Sequence, residues 1–83
     1  MAKHSHNFVE NFEGFLGFGL DRQSDEDTVW FYMQKFSDDA LMETVLKRMS
    51  DDDLGELFNV VSRILKVYLS EPEYHQLFLK EEK

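Results

Sequence analysis

The sequence contains no cysteine, and this absence excludes several kinds of site at once. Disulfide bonds, thiolate zinc sites and thiol nucleophiles all need that residue, so packing alone has to hold the fold together. A chain without cysteine is compatible with a reducing compartment. We therefore expect a cytoplasmic protein.

Long apolar runs are lacking as well. The apolar stretch from Phe8 to Leu20 is interrupted by Glu10, Asn11 and Glu13, so it predicts neither a signal peptide nor a membrane-spanning helix. Its polar side carries glutamate instead of lysine or arginine, which argues against binding to an anionic membrane surface. We predict no membrane association.

Basic residues are few, with 9 Lys and Arg against 17 Asp and Glu, which gives a net charge of −8. This charge repels nucleic-acid phosphates, and the bases are spread along the chain without a cluster. Residues 41–69 have the spacing of a helix-turn-helix, but the second helix would begin with Asp51, Asp52 and Asp53. Three carboxylates at that position would be repelled by DNA, so we predict no direct nucleic-acid binding.

Motifs of catalysis are also missing: the sequence has no glycine-rich phosphate loop, no Gly-x-Ser-x-Gly and no His-Glu-x-x-His. Its carboxylates cluster at expected helix starts, where solvent gives no reason for the raised pKa that a general acid needs. We predict a chain that is not an enzyme, takes no cofactor and binds no small-molecule substrate.

Residues suited to binding a metal ion are also scarce. His4 and His6 supply at most two ligands, whereas a structural zinc site needs four. A calcium loop starting at Asp21 or Asp51 lacks the glycine and glutamate that such loops require at their sixth and twelfth positions. We predict no metal site, while zinc binding by His4 and His6 stays open.

What the sequence does contain is a repeated signal for helix starts, a serine followed by acidic residues. The four instances are Ser24-Asp25-Glu26-Asp27, Ser37-Asp38-Asp39, Ser50-Asp51-Asp52-Asp53 and Ser70-Glu71-Pro72-Glu73. Serine accepts a hydrogen bond from the first turn, and the acids oppose the positive end of the helix dipole. Together with apolar periodicity, these signals predict helices over 7–16, 25–36, 38–49, 51–69 and 71–80.

These helices predict an all-α fold of one domain over residues 1–83. The connections at Phe36-Ser37 and Met49-Ser50 are almost without loops, which forces sharp corners and favours a compact, irregular or orthogonal bundle of four to five short helices. Residues 1–6 and 81–83 contain little apolar material, so we expect them to be disordered.

Large aromatic residues give the main functional hypothesis. The run Val29-Trp30-Phe31-Tyr32-Met33 is apolar all round a helix, so something has to cover it. Either the chain's own helices enclose it, or part of it contacts a second chain, because large aromatics dominate protein interfaces. We predict a protein-protein interaction module that binds another protein or its own copy as a homodimer, with Phe15, Trp30 and Phe31 as contact residues.

The acidic residues give the alternative hypothesis, an acidic decoy or regulator of a basic nucleic-acid-binding protein. Helix-start chemistry already explains nearly all of the acidic positions, and we favour that interpretation. The residues that would form the acidic face are Asp25, Glu26, Asp27, Asp38, Asp39, Asp51, Asp52 and Asp53.

Overall fold

The structure is a computed structural model that describes residues 6–81, and this part of the chain is 74% helical. The described residues contain five α-helices, one π-helical turn and no strand, which confirms the predicted all-α class. The elements are α1 (Asn7–Asn11), α2 (Arg22–Phe36), α3 (Asp39–Arg48), α4 (Asp51–Tyr68), α5 (Glu71–Glu73) and the π-helical turn Tyr74–Phe78. Most of the termini predicted to be disordered, 1–5 and 82–83, lies outside the described residues.

The chain divides into two compact units, whose described residues are 6–47 and 48–81. The single domain and the bundle arrangement stay predictions. Among the described residues no apolar side chain is buried, and Thr28 is the only buried residue of any kind. No helix within residues 6–81 is long and apolar enough to cross a bilayer.

Helix α1 is shorter than the predicted helix 7–16, because it ends at Asn11 and Phe12 is extended, with φ −74° and ψ 129°. The chain beyond it finds hydrogen-bond partners on α2 instead of within its own helix. Gly17 donates its N–H to Thr28 Oγ1 at 2.9 Å, and the Thr28 hydroxyl is 3.2 Å from the Gly17 carbonyl oxygen. These bonds satisfy both backbone groups of Gly17, which lies beyond the end of α1.

Helix α2 begins at Arg22 instead of residue 25, because Asp21 and not Ser24 is its N-cap. The Asp21 carboxylate accepts the Ser24 backbone N–H at 2.8 Å, and this bond lowers the pKa of that carboxyl. Asp38 plays the same part before α3, where its carboxylate accepts the Leu41 N–H at 3.1 Å. Asp and Ser are about equally good caps, so the sequence alone does not choose between them.

Two of the predicted serine caps are confirmed. Ser50 Oγ accepts the Asp53 N–H at 3.1 Å at the start of α4, which ends at Tyr68, one residue before the predicted end. Ser70 and Glu73 form the predicted capping box, with bonds of 3.3 and 2.8 Å.

The last helical segment ends earlier than the predicted residue 80. After α5 the helix widens into the π-helical turn, where Leu79 donates its N–H to the Tyr74 carbonyl oxygen at 3.0 Å. Lys80 then adopts a left-handed conformation with φ 61°, and the Glu81 N–H bonds to the His75 carbonyl oxygen at 2.9 Å. A left-handed residue of this kind ends a helix.

Candidate interaction surface

One side of α2 is covered by α1, through two aromatic contacts. The rings of Phe8 and Trp30 stack with centroids 3.9 Å apart and planes at 5°, and Phe12 lies 6.1 Å from Phe31. The Val9 N–H donates to Gln34 Oε1 at 2.8 Å, which adds a polar bond to the same contact. The N-terminal aromatics therefore serve as a cover for α2 supplied by the chain itself.

The segment that follows α1 runs along α2 and antiparallel to it. Its attachment points are Thr28, which bonds to both backbone groups of Gly17, and Asp25, whose carboxylate accepts the Gly19 N–H at 2.7 Å. Gly19 has φ 102°, a conformation open to glycine but strained for other residues. These bonds hold the segment beside the helix and place Phe18 next to it.

The other side of α2 carries apolar side chains that stay exposed. Val29, Tyr32 and Met33 lie three and four residues apart and so share one face, and Phe18 borders this face from the preceding segment. We call these four residues the outer face of α2.

Two shallow grooves meet on this face, and Phe18 and Val29 line both. The groove of about 380 Å³ is lined by Leu16, Gly17, Phe18, Thr28, Val29, Tyr32 and Met33. The groove of about 470 Å³ is lined by Phe18, Arg22, Asp25, Glu26, Val29 and Trp30. The second groove thus combines an apolar floor with charged residues at its edge.

The three contact residues predicted from the sequence lie in different places. Phe31 belongs to the covered side, where it packs on Phe12 and has Lys35 Nζ 5.7 Å from its ring centroid. Trp30 is 51% exposed, with one ring face stacked on Phe8. Phe15 is exposed in the segment between α1 and α2.

Phe18 was not identified from the sequence as a residue of the outer face. Phe18 gave no helical signal, and the run from Val29 to Met33 is apolar in every direction, so it does not indicate which side is covered. The spacing of Val29, Tyr32 and Met33 was a usable signal only once the position of α1 was known.

Half of the eight acidic residues of the alternative hypothesis have local partners. Asp25 and Asp38 accept backbone N–H groups, Glu26 pairs with Arg22 at 2.6 Å, and Asp27 accepts Gln23 Nε2 at 3.0 Å. Asp39 lies in the first turn of α3, and Asp51, Asp52 and Asp53 form the exposed first turn of α4. The positions of Asp38, Asp39 and Asp51 to Asp53 fit helix-start chemistry, whereas Glu26 and Asp27 lie in the second turn of α2.

The structure does not test zinc binding by His4 and His6, because His4 lies outside the described residues. His6 Nε2 lies 2.8 Å from Ser37 Oγ. His75 bonds through Nδ1 to Glu81 at 2.8 Å, and its Nε2 is 4.0 Å from Glu71. Over residues 6–81, no group of three or more His, Asp or Glu residues is arranged to hold a metal ion.

Comparisons with protein-family models, with curated proteins and with solved structures find no match for this chain. The fold and the surface define its class, a small acidic all-α protein with an aromatic helix covered on one side. Inference about function therefore has to start from the exposed side of that helix.

Proposed function

We propose that this chain is a non-catalytic protein-interaction module of the cytoplasm, and that the outer face of α2 receives the apolar surface of a partner protein. The observation that carries the proposal is the exposure of Phe18 and Tyr32, which are 73% and 67% exposed on either side of Val29. Adjacent exposed aromatics are uncommon on monomers and are favoured at binding interfaces.

The surroundings of the face support this use. Arg22, Asp25 and Glu26 border the apolar floor, and interfaces commonly have an apolar centre with a polar rim. Arg22 and Glu26 pair with each other in the free chain, so the rim carries both signs of charge, and Asp25 leaves it with one net negative charge. A partner with an apolar centre and mixed charge at its edge would complement it better than a uniformly basic one.

The test is affinity capture from lysate of the source organism with three baits: the wild type, Phe18→Ser with Tyr32→Ser, and Phe58→Ser with Tyr68→Ser. The last pair is a matched control on α4, because the residue types are identical and the exposures are 71% and 73%. Apart from further copies of the chain itself, we expect one specific protein to be captured by the wild type and the control and lost from the outer-face variant. Calorimetry with that purified partner should show the affinity falling by roughly 100-fold or more.

Salt separates this proposal from the acidic decoy. Apolar contact tolerates high salt, whereas binding through exposed carboxylates weakens as ions screen them. Equal binding by all three baits, combined with loss of the partner at high salt, would refute the outer-face proposal and favour the decoy.

A further inference from the structure

Helix α4 carries a second apolar surface, separate from the outer face of α2. One side of the helix holds Leu54, Leu57, Phe58, Val61, Ile64, Leu65 and Tyr68, which we call the α4 stripe. The stripe is about 21 Å long at the usual rise of about 1.5 Å per residue. None of its side chains is buried, and the two aromatics are the most exposed of them.

Within the unit formed by residues 48–81, the chain approaches the stripe only near its C-terminal end. There a groove of about 460 Å³ is lined by Leu65 and Leu69 of the α4 end together with Tyr74 of the π-helical turn. Ser62 is the first residue of α4 in this groove, and Phe58 and Leu54 lie about one and two turns before it along the helix. The unit therefore leaves the larger part of the stripe without a cover of its own.

The spacing of the stripe is the same when read from either end, and Val61 is its centre. Two copies laid antiparallel about Val61 would place Leu54 opposite Tyr68, Leu57 opposite Leu65, and Phe58 opposite Ile64. Every apolar residue then meets an apolar residue, as a two-fold interface between identical chains requires. We propose that the α4 stripe binds the α4 stripe of a second copy of this chain in antiparallel orientation.

Charge selects the antiparallel direction. The first half of α4 carries four acids, Asp51, Asp52, Asp53 and Glu56, whereas its second half carries Arg63 and Lys66. A parallel pair would bring acids against acids, but an antiparallel pair brings the acidic half of each copy to the basic half of the other. Glu56 and Arg63 lie on the polar side of α4, away from the stripe, so this attraction acts between the two halves at a distance and not through a contact pair.

The area agrees with a reversible dimer. Phe58 and Tyr68 offer about 300 Å² of exposed surface, and the aliphatic residues beside them bring the total to about 500 Å² per chain. Two chains would bury about 1,000 Å², near the lower limit for a specific interface. We therefore expect association in the micromolar concentration range.

Sedimentation velocity between about 1 and 200 μM tests the pairing. Phe58→Glu places a charge in the stripe, and Asn59→Glu adds the same charge on the opposite side of the helix as a matched control. We expect the wild type and Asn59→Glu to form a dimer, with at least about 100-fold weaker association for Phe58→Glu. A wild type that stays monomeric, or equal association of the two variants, would overturn the proposal.

Charge reversal tests the direction. Glu56→Arg and Arg63→Glu each reduce the attraction between the acidic and basic halves of an antiparallel pair, so each should weaken association by roughly twofold at low salt and by less at high salt. In a parallel pair neither change would act this way. Spin labels at introduced cysteines give a second measure, because Asp52→Cys labels should be about 27 Å apart along the axis and Ser62→Cys labels close together.

This dimer does not depend on the proposed function. Phe18→Ser with Tyr32→Ser should leave sedimentation unchanged, whereas Phe58→Glu should abolish the dimer with or without a partner at α2. Loss of the dimer in the outer-face variant would mean that the copies associate through α2, which contradicts the pairing through α4.

Discussion

Helices α2 and α4 both carry more apolar surface than their unit covers, but they expose it in different ways. Helix α2 is apolar all round between Val29 and Met33, and the chain covers one of its sides with α1. Helix α4 is amphipathic, with one apolar stripe and a polar face that needs no cover. The chain itself covers part of the apolar surface of α2, whereas the exposed α4 stripe is suited to packing against an identical stripe.

The difference also lies in how the contacts are held. The cover of α2 combines stacked rings with backbone N–H groups that donate to Thr28, Gln34 and Asp25, and these bonds give the contact a defined register. The α4 stripe is aliphatic and aromatic only, so its register has to come from spacing and charge at its edges. Hydrogen bonds therefore fix the register of the contact within the chain, whereas two-fold symmetry would fix the register between two copies.

Among the changes that test this difference between the helices, Phe8→Ala should have the largest effect on stability, because it removes the ring stacked on Trp30. We expect a loss of about 2 kcal/mol in the free energy of unfolding, less than for a fully buried Phe because Phe8 is half-exposed. The chain has a single Trp, so Trp30 fluorescence reports the contact directly during denaturation.

Phe78→Ala is the matched control for that change. Phe78 also stacks on an aromatic ring, that of Tyr74 at 5.2 Å, but it lies in the other unit. Trp30 emission in the folded state should shift in Phe8→Ala and stay unchanged in Phe78→Ala. The same emission in both variants would show that α1 does not cover Trp30 in solution.

A smaller effect is expected from Thr28→Val, which preserves the side-chain shape but removes the hydroxyl that bonds to Gly17. Thr28 is 7% exposed, so both backbone groups of Gly17 would lose a partner at a site that water reaches poorly. We expect a loss of about 1 to 2 kcal/mol. Amide exchange at Gly17 should become faster in Thr28→Val and stay slow in Thr28→Ser, and unchanged exchange in both would contradict the attachment.

The sequence predicted those parts of the fold that depend on neighbours along the chain. The caps at Ser50 and Ser70 follow from side chains within four residues of one another, and they are present as expected. The start of α2 was misplaced because Asp21 and Ser24 are both good caps. The contact of Asp25 with Gly19 uses a carboxylate that the sequence pattern assigned to the helix start.

The candidate site was harder to predict because it depends on a contact between distant residues. A run that is apolar all round has no preferred side, so the sequence provided no physical reason to name Phe31 as a contact residue instead of Tyr32. The position of α1 decides between them: Phe12 packs on Phe31 and leaves Tyr32 outside. Contacts of this kind depend on tertiary packing, which cannot be predicted from local periodicity.

Two glycines should respond in opposite directions when changed to alanine. Gly55 lies inside α4 with open space where an alanine Cβ would stand, so Gly55→Ala should stabilise the helix by about 0.5 to 1 kcal/mol. Gly19 also has open space, but its φ of 102° strains any other residue, so Gly19→Ala should destabilise by about 1 kcal/mol. Urea denaturation of both variants checks the signs, and stabilisation by Gly19→Ala would contradict the positive φ.

The smallest expected effect is on the titration of two capping carboxylates, one in each unit. The pKa of Glu73 is lowered because its carboxylate accepts the Ser70 backbone N–H, and that of Asp21 is lowered by the Ser24 backbone N–H. A lowered pKa in the folded state means that the stabilisation is present above the ordinary pKa and is lost as the pH falls through the lowered one. Both caps should therefore weaken below about pH 4.

Ser70→Pro separates the two caps. Ser70 has φ −71°, which proline adopts without strain, and the change removes both the N–H and the hydroxyl that bond to Glu73. We expect carboxyl NMR titration to return the pKa of Glu73 to its ordinary range while that of Asp21 stays low. If Glu73 kept its lowered pKa in this variant, the capping box would not be its cause, because no other bond to that carboxylate is found within residues 6–81.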